Sequence, residues 1–496
     1  MRCSLLRGMI PVIFLSVVQS LAQADRFTYI DSSGKTTSVE ARLAGSGQGT
    51  VAFETADGQI HLIPQVAIQE RVESSGPQPL DAPTMIDTLR KRFGRERFRS
   101  LIHKPYSIGL VLATPLHKKE EARARIFLKK AGRFFHNVDG HFLRFAKKVH
   151  IKTRPLRYPL VVLIFEDSTD FEQYARKATG GRGLSAGRIA GFYSEMTNYL
   201  AVRLSECRTF AVPLHEAVHQ QVYNRGILQR IAPIPAWFNE GIATGFEGNG
   251  ERIRSGPTRI SAEYARRWLR ANRVDWTDIV SDDKVFRGDV LAGEAYANAW
   301  GLHWLLLTKH RDGYSRYLQM LGRKKTLAAA ANGERSREFQ NAFHVSVAEL
   351  QRRFPRILQS NLKRQKISIV KKPRRGISLT HSNLGEVSLT AVSRGDLGGA
   401  LQVGGRLKNT SPLRAMTFYV RVVTDTGTYA DWLVSNVPIN RTASLRRKFA
   451  QKLMQNAPGG PSTTFRVLIK SAPIDSKQAR NWQRGKLPAA VYQRRP

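Results

Sequence analysis

Cysteine is nearly absent from this chain of 496 residues, which contains only Cys3 and Cys207. Cys3 falls in an N-terminal segment that we expect to be cleaved, so a single thiol would remain. This excludes an intramolecular disulfide in the mature chain. Cys207 is therefore predicted to be a small buried residue, with a reactive thiol as the less favoured alternative.

Long apolar runs are missing after the N-terminus, which excludes a later transmembrane helix. The first 24 residues resemble a secretory signal peptide: Arg2 and Arg7 are basic, Met9 to Val18 is apolar, and Ala22-Gln23-Ala24 matches a cleavage site. An uncleaved N-terminal anchor is the alternative. We expect a location outside the cytoplasm, either secreted or in the periplasm and cell envelope.

Acidic residues are few: 39 Asp and Glu stand against 79 Lys and Arg, giving a formal net charge of +40. Such a charge favours anionic partners. However, the basic residues are scattered, and there is no zinc-finger, helix-turn-helix or RNA-binding signature. A generally basic surface with no specific nucleic-acid partner is the preferred interpretation, and anionic surface polymers are left open as partners.

The most informative stretch is His215-Glu216-Ala217-Val218-His219. Residues at positions i and i+4 of a helix share one face, so both imidazoles can reach one ion. A helix is predicted because Pro213 suits its first turn and Gly226 suits its end. Catalytic zinc commonly takes three protein ligands, and Glu216 would lie beside the water in the remaining position. Two unrelated histidines on an ordinary helix are the alternative.

A second segment strengthens this hypothesis: Pro235-Ala236-Trp237-Phe238-Asn239-Glu240-Gly241-Ile242-Ala243-Thr244-Gly245-Phe246. An HExxH helix followed by Trp-x-x-Glu-Gly-x-Ala resembles the gluzincin metallopeptidases, the thermolysin-like MA clan. The resemblance covers residues 100–365 and implies that Glu240 is the third Zn²⁺ ligand beside His215 and His219. The small residues Gly241 and Ala243 would let this helix pack closely on the first. The metzincin pattern is disfavoured, because Val222 and Arg225 occupy its glycine and third-histidine positions.

The resemblance also implies roles for residues around the cleft. Tyr296 is the first candidate, and His303 the second, for a hydrogen bond to the oxyanion formed during catalysis; packed helix residues are the alternative for both. Residues 193–202 are expected to contain the sheet edge along which a polypeptide substrate lies. Thr244 stands where some relatives carry a carboxylate that orients a zinc-bound histidine, and Glu247 is another candidate for that task.

The predicted fold class is α+β with several domains. Residues 25–75 resemble SH3-like SLA1-homology modules and are predicted to form a small β-barrel. Residues 76–99 are predicted to be a linker, residues 100–365 the mixed α+β peptidase-like domain, residues 366–472 an Ig-like β-sandwich, and residues 473–496 a loose basic tail. Residues 179–187, rich in glycine, are predicted to form a mobile loop near the cleft.

Together, these features predict a secreted zinc-dependent metallopeptidase in which Glu216 and Tyr296 act on a peptide bond. The alternative from another class is a non-catalytic basic adhesion or scaffold protein of the cell envelope. A purely structural zinc site is disfavoured, because such sites are usually closed by four protein ligands.

Overall fold

The computed structural model describes residues 24–74, 77–179, 189–248, 252–254, 256–270, 274–287, 292–331, 333–369, 378–393, 401–424, 429–449 and 465–488. These residues form a mixed α+β, multidomain protein with four sheets. The predicted signal peptide, apart from Ala24, and residues 180–187 of the glycine-rich stretch lie outside the described residues.

The N-terminal sheet is antiparallel, in the order β4-β3-β2-β1-β5. Its strands are β1 (Ala24–Ile30), β2 (Thr36–Gly47), β3 (Thr50–Glu54), β4 (Ile60–Pro64) and β5 (Ile68–Ser74). No described pairing joins β4 to β5, so the sheet is open and the predicted closed barrel is wrong. The physical reason is that β4 contacts the central domain instead, where the Ile60 N–H donates to the Met196 carbonyl at 2.7 Å.

The central sheet has the order β6-β7-β8-β10-β9. Its strands are β6 (Phe98–His103), β7 (Tyr106–Val111), β8 (Leu160–Phe165), β9 (Gly191–Tyr193) and β10 (Leu200–Arg203). The inner strands β7, β8 and β10 run parallel, and β6 and β9 pair antiparallel at the two edges. Every residue of β7 and β8 is buried, as expected for continuous apolar strands covered on both faces.

The helices of the central domain are α1 (Ala82–Phe93), α2 (Lys118–Lys148), α3 (Ser168–Ala178), α4 (Ala211–Asn224), α5 (Ala236–Thr244), α6 (Ala262–Arg270), α7 (Trp276–Ser281), α8 (Lys284–Arg287), α9 (Ala292–Lys309), α10 (Arg311–Gly322), α11 (Glu334–Phe343) and α12 (Val347–Arg364). Helices α2 and α4 pack on one face of the sheet and α1 and α3 on the other, whereas α5 to α12 pack mainly against other helices. The aromatic residues along one side of α2, Phe127, Phe134, Phe135, Phe142 and Phe145, are buried in the core. Within the described residues, no helix has the length and apolarity needed to cross a membrane.

Helix α1 takes up half of residues 76–99, the segment predicted to be a linker, and packs on the central sheet. Asp81 caps the helix through Thr84 N–H, and the buried Met85, Ile86 and Leu89 join the core on one face of the central sheet. Pro83 is compatible with this helix, because proline in the first turn loses no backbone hydrogen bond.

Two sheets form the C-terminal part, in the orders β11-β12-β13-β16 and β15-β14-β17. Their strands are β11 (Ser378–Ser382), β12 (Gly385–Ser393), β13 (Leu401–Asn409), β14 (Met416–Thr424), β15 (Tyr429–Val437), β16 (Thr442–Phe449) and β17 (Phe465–Pro473). The two sheets pack face to face, since a Cβ atom on Gly385 would meet side chains of Phe418 and Ile469.

The predicted loose tail is partly ordered. Helix α13 (Lys477–Gln483) is capped by the Ser476 hydroxyl, and Trp482 is buried against Tyr419 of β14. Burial of the Trp482 indole stabilises this short helix. A segment that is otherwise polar and basic therefore packs against the C-terminal sheets.

A buried ion pair joins the C-terminal sheets to the central sheet. The Arg414 guanidinium donates to both oxygens of Glu166, each at 2.8 Å, and to the Thr114 carbonyl at 2.9 Å. The Arg414 side chain is 2% exposed and the Glu166 side chain 0%. Because Glu166 directly follows β8, this pair fixes the sandwich against the end of the central sheet.

We expect Arg414→Met to lower the free energy of unfolding by about 3–5 kcal/mol, because Glu166 would stay buried without a counter-charge. Arg353→Met is the matched control, since Arg353 is 61% exposed and its pair with Glu349 lies on the surface of α12; its loss is expected to stay below about 1 kcal/mol. Chemical denaturation measures both. Equal decreases in the free energy of unfolding of the two variants would show that the buried ion pair stabilises the protein no more than the exposed one.

Candidate metal centre

Helix α4 places both histidines of the HExxH motif. It follows Phe210, which adopts a left-handed conformation, and it stops before Gly226, whose φ of 66° lets the chain turn away. Leu214, Ala217, Val218 and Val222 are fully buried in the core. The pattern of apolar residues therefore fixes the rotation of α4 and leaves His215 and His219 together on another face.

Helix α5 supplies the third side chain, Glu240. Trp237 and Phe238 are fully buried and hold this helix in the core. The sequence suggested that Gly241 is small so that α5 can approach α4, but the structure corrects this interpretation. A Cβ atom on Gly241 would lie 2.2 Å from Cδ2 of His303, so the glycine permits close packing of α5 against α9.

The two helices bring three potential ligand atoms together. His215 Nε2 lies 2.9 Å from Glu240 Oε2 and 3.1 Å from His219 Nε2, and His219 Nε2 lies 3.6 Å from Glu240 Oε2. Ligands about 2.0–2.1 Å from a tetrahedral ion are separated by about 3.3–3.4 Å. His215, His219 and Glu240 thus form a site that could hold a metal ion.

The other nitrogen of each ring has its own acceptor. His215 Nδ1 lies 2.8 Å from Glu247 Oε1, and His219 Nδ1 lies 3.1 Å from Asn239 Oδ1. An N–H donated from each Nδ1 leaves the lone pair of Nε2 directed at the shared space. Tyr264 in turn donates its hydroxyl to Glu247 Oε2 at 2.8 Å, which fixes that carboxylate.

Thr244 does not support a histidine. Its hydroxyl donates to the Gly241 carbonyl at 3.0 Å. Glu247, one turn further along the chain, contacts His215 instead, so the structure decides between the two candidates in favour of Glu247. A glutamate is long enough to reach the ring from this more distant position and also brings the negative charge that threonine lacks.

Electrostatics favour an ionised Glu240. Burial alone would raise the pKa of Glu240, but His219 and His215 outweigh burial and lower this pKa. For His215, burial opposes the charged form, yet hydrogen bonds to Glu240 and Glu247 raise its pKa well above the ordinary value. The Glu240 carboxylate is therefore in the form that binds a cation, and a cation bound here would take the place of the proton on His215 Nε2.

Glu216 lies between the metal-ligating face and the sheet. Its Oε2 accepts the Tyr193 N–H at 2.9 Å, and Tyr193 belongs to β9, the edge strand. Burial raises the pKa of Glu216, although the two histidines act in the opposite direction. Of residues 193–202, which were expected to contain a sheet edge, only Tyr193 belongs to the edge strand β9, and residues 200–202 belong to the inner strand β10.

Tyr296 reaches the centre and His303 does not. The ring centroid of Tyr296 is 6.0 Å from that of His215, and the nearby Glu240 carboxylate adds to the effect of burial on the Tyr296 pKa. Burial raises the pKa of Tyr296, so its hydroxyl stays protonated. His303 follows two turns later on α9 and is enclosed by aromatic rings; burial lowers its pKa to about 3. His303 is therefore a neutral core residue, and the expectation that it might bind an oxyanion is wrong.

Sequence reasoning missed three residues near the centre: Asn239, Tyr264 and Glu195. Glu195 lies in the turn between β9 and β10, where it accepts the Ile231 N–H and hydrogen-bonds Tyr223. It thereby ties the edge of the sheet to the loop that leads into α5. Only Asn239 had a sequence signal, because it stands beside Glu240 on the same short helix.

Comparison with known proteins gives few matches. A family model described as "Protein of unknown function (DUF1570)" matches residues 209–328, which include α4 and α5. No curated protein matches the sequence.

Two solved structures superpose weakly. The catalytic module of the metalloprotease ZmpA from Clostridium perfringens has 8% identity and a TM-score of 0.25, covering 86% of this chain and 89% of that chain. The variable domain of the Streptococcus agalactiae AgI/II polypeptide BspA has 14% identity and a TM-score of 0.10, covering 25% of this chain and 84% of that chain. Neither superposition carries weight at these TM-scores.

We expect Glu247→Ala to weaken metal binding by about 10–100-fold, because His215 would lose the acceptor that orients its ring. Glu247→Gln should retain part of the affinity, since an amide oxygen can still accept the Nδ1–H. Glu263→Ala, a 61% exposed carboxylate on α6, is the matched control. Titration against a chelating dye measures the affinities. Unchanged affinity in Glu247→Ala would rule out this supporting role.

Proposed function

We propose that the protein is a secreted zinc-dependent metallopeptidase of gluzincin type. The observation that carries the proposal is the convergence of three ligand atoms, from His215, His219 and Glu240, with both histidines oriented through their second ring nitrogens. A location outside the cytoplasm rests on the signal-peptide pattern of residues 1–24. In this proposal the C-terminal pair of sheets is Ig-like.

The donor set supports a catalytic zinc site rather than a structural one. Two imidazole nitrogens and one carboxylate oxygen are common ligands of catalytic zinc, and three protein ligands leave one position for water. When bound there, zinc would supply Lewis-acid polarisation of a carbonyl and would lower the pKa of a coordinated water.

Glu216 is proposed as the general base. It follows His215 directly and remains next to the ligand cluster, because the Tyr193 N–H holds one of its oxygens. Its carboxylate would accept the proton of the attacking water and then deliver that proton to the leaving amine. Burial raises the pKa of Glu216, which suits a group that must take up a proton and release it again.

Strand β9 and Tyr296 are proposed to position the substrate. As an edge strand, β9 offers main-chain groups to an extended polypeptide, and such pairing imposes little sequence preference. Tyr296 would donate its hydroxyl to the oxygen that becomes negative when water attacks the peptide carbonyl. Its ring already lies beside that of His215, with centroids 6.0 Å apart.

Glu216→Gln is expected to retain one zinc per chain and to lose about 10²–10⁴-fold in kcat, because the amide cannot accept the proton. Zinc is measured by mass spectrometry of the purified protein, and cleavage is measured on casein and a mixed peptide library. Glu263→Gln is the control and should keep full activity. If the wild type binds no metal and cleaves nothing, the proposal fails and the adhesion or scaffold alternative takes its place.

Tyr296→Phe is expected to lower kcat by about 10²–10³-fold with little change in KM, because the lost hydrogen bond acts mainly in the transition state. Its zinc content should match that of the wild type. Tyr429→Phe removes an exposed hydroxyl from the C-terminal sheets and is the matched control. An unchanged kcat in Tyr296→Phe would leave this residue with a packing role only.

A further inference from the structure

A cavity of about 250 Å³ lies where the N-terminal sheet meets the central domain. Four arginines line it: Arg42 from β2, Arg154 and Arg157 from the segment before β8, and Arg230 from the loop before α5. Glu54 is the only acidic residue among the lining residues. The cavity is therefore rich in guanidinium groups, with a formal excess of positive charge.

Glu54 neutralises only two of the four arginines. It is buried and forms ion pairs with Arg42 and Arg230, and it also hydrogen-bonds Tyr158. Arg230 has further bonds to the carbonyls of Gly58, at 2.8 Å, and Glu195, at 3.2 Å. Arg230 and Glu54 thus hold the two domains together, and these contacts engage both side chains, so we do not assign either of them to ligand binding.

Arg154 and Arg157 have no acidic partner among the described residues. The aliphatic stem of Arg154 lies against Gly226, where a Cβ atom would come within 2.7 Å of the arginine Cδ, and the Arg154 N–H donates to the Arg225 carbonyl. The guanidinium of Arg157 lies 5.7 Å from the ring centroid of Tyr158. These contacts hold the aliphatic stem of Arg154 and the guanidinium of Arg157 at the cavity, but they do not neutralise the positive charge of either residue.

We propose that this cavity binds a small oxyanion of the phosphate or sulfate type. Guanidinium groups form paired, charge-assisted hydrogen bonds with such anions, and Arg154 and Arg157 line the cavity without an acidic partner among the described residues, so they can supply donors to a tetrahedral anion. The volume suits a small ion rather than a polymer. The bound anion would offset the charge that Glu54 leaves unbalanced and would stabilise the junction between the two domains.

The cavity adjoins the candidate metal centre but does not include it. Tyr223 lines the cavity, and its ring stacks on that of Tyr193 with centroids 5.7 Å apart. Tyr193 is the residue whose N–H holds Glu216. The residues proposed to bind the anion, Arg154 and Arg157, are not among the proposed metal ligands or catalytic residues. Anion binding therefore does not depend on peptidase activity.

The test is isothermal titration of the full-length protein with inorganic phosphate at constant ionic strength. The wild type is expected to bind one phosphate with saturation, and Arg154→Gln/Arg157→Gln to bind it about tenfold more weakly or worse. Both arginines are exposed, so the double variant should fold normally, and a thermal unfolding curve checks this. Arg42 and Arg230 are left intact because of their structural ion pairs.

Lys129→Gln/Arg133→Gln is the matched control. It removes the same charge from an exposed face of α2 and should bind phosphate like the wild type. This control separates a specific site from general attraction to a chain of charge +40. Absence of saturable binding in the wild type, or an equal loss in both double variants, would overturn the proposal.

Discussion

The candidate centre depends on two helices keeping a fixed separation, because three ligand atoms must converge to within a few ångström. Neither α4 nor α5 could ensure this alone. The buried face of α4 fixes its rotation, and the buried side chains of Trp237 and Phe238 fix α5 in the core. Gly241 lets α9 pack closely against α5, because it has no side chain. Helix α9 then carries Tyr296 to the centre. A metal site with a preset geometry requires rigid helices supported by a close-packed core.

The scarcity of acidic residues gives each buried carboxylate a recognisable task. Glu166 joins the C-terminal sheets to the central sheet through Arg414, and Glu54 joins the N-terminal sheet to the central domain through Arg230. Glu240 and Glu247 serve the two histidines, and Glu216 connects α4 to the edge strand. A buried charge is costly unless it is paired, so each of these carboxylates fixes the position of its partner. The excess of basic residues remains largely on the surface.

The parts of the fold that were predicted well have strong local signals. The helix that carries HExxH follows from the i, i+4 spacing of its histidines and from the end signals at Pro213 and Gly226. Two segments with a composition typical of loops form helices. Helix α1, which contains Pro83, and helix α13, which is polar and basic, are stable because a few apolar side chains, such as Leu89 and Trp482, are buried by distant parts of the chain. The open N-terminal sheet has the same origin, since β4 contacts the central domain.

The sequence by itself determined which residues could bind a metal, because the i, i+4 spacing of His215 and His219 is a local property of a helix. It also singled out Glu240 and Glu216 through a resemblance to known motifs. Only the tertiary structure decided which residues support them. Glu247 rather than Thr244 faces His215, Asn239 faces His219, and His303 lies in the core while Tyr296, on the same helix, reaches the centre. These outcomes depend on how helices distant in sequence pack together, and periodicity within one helix carries no information about its neighbours.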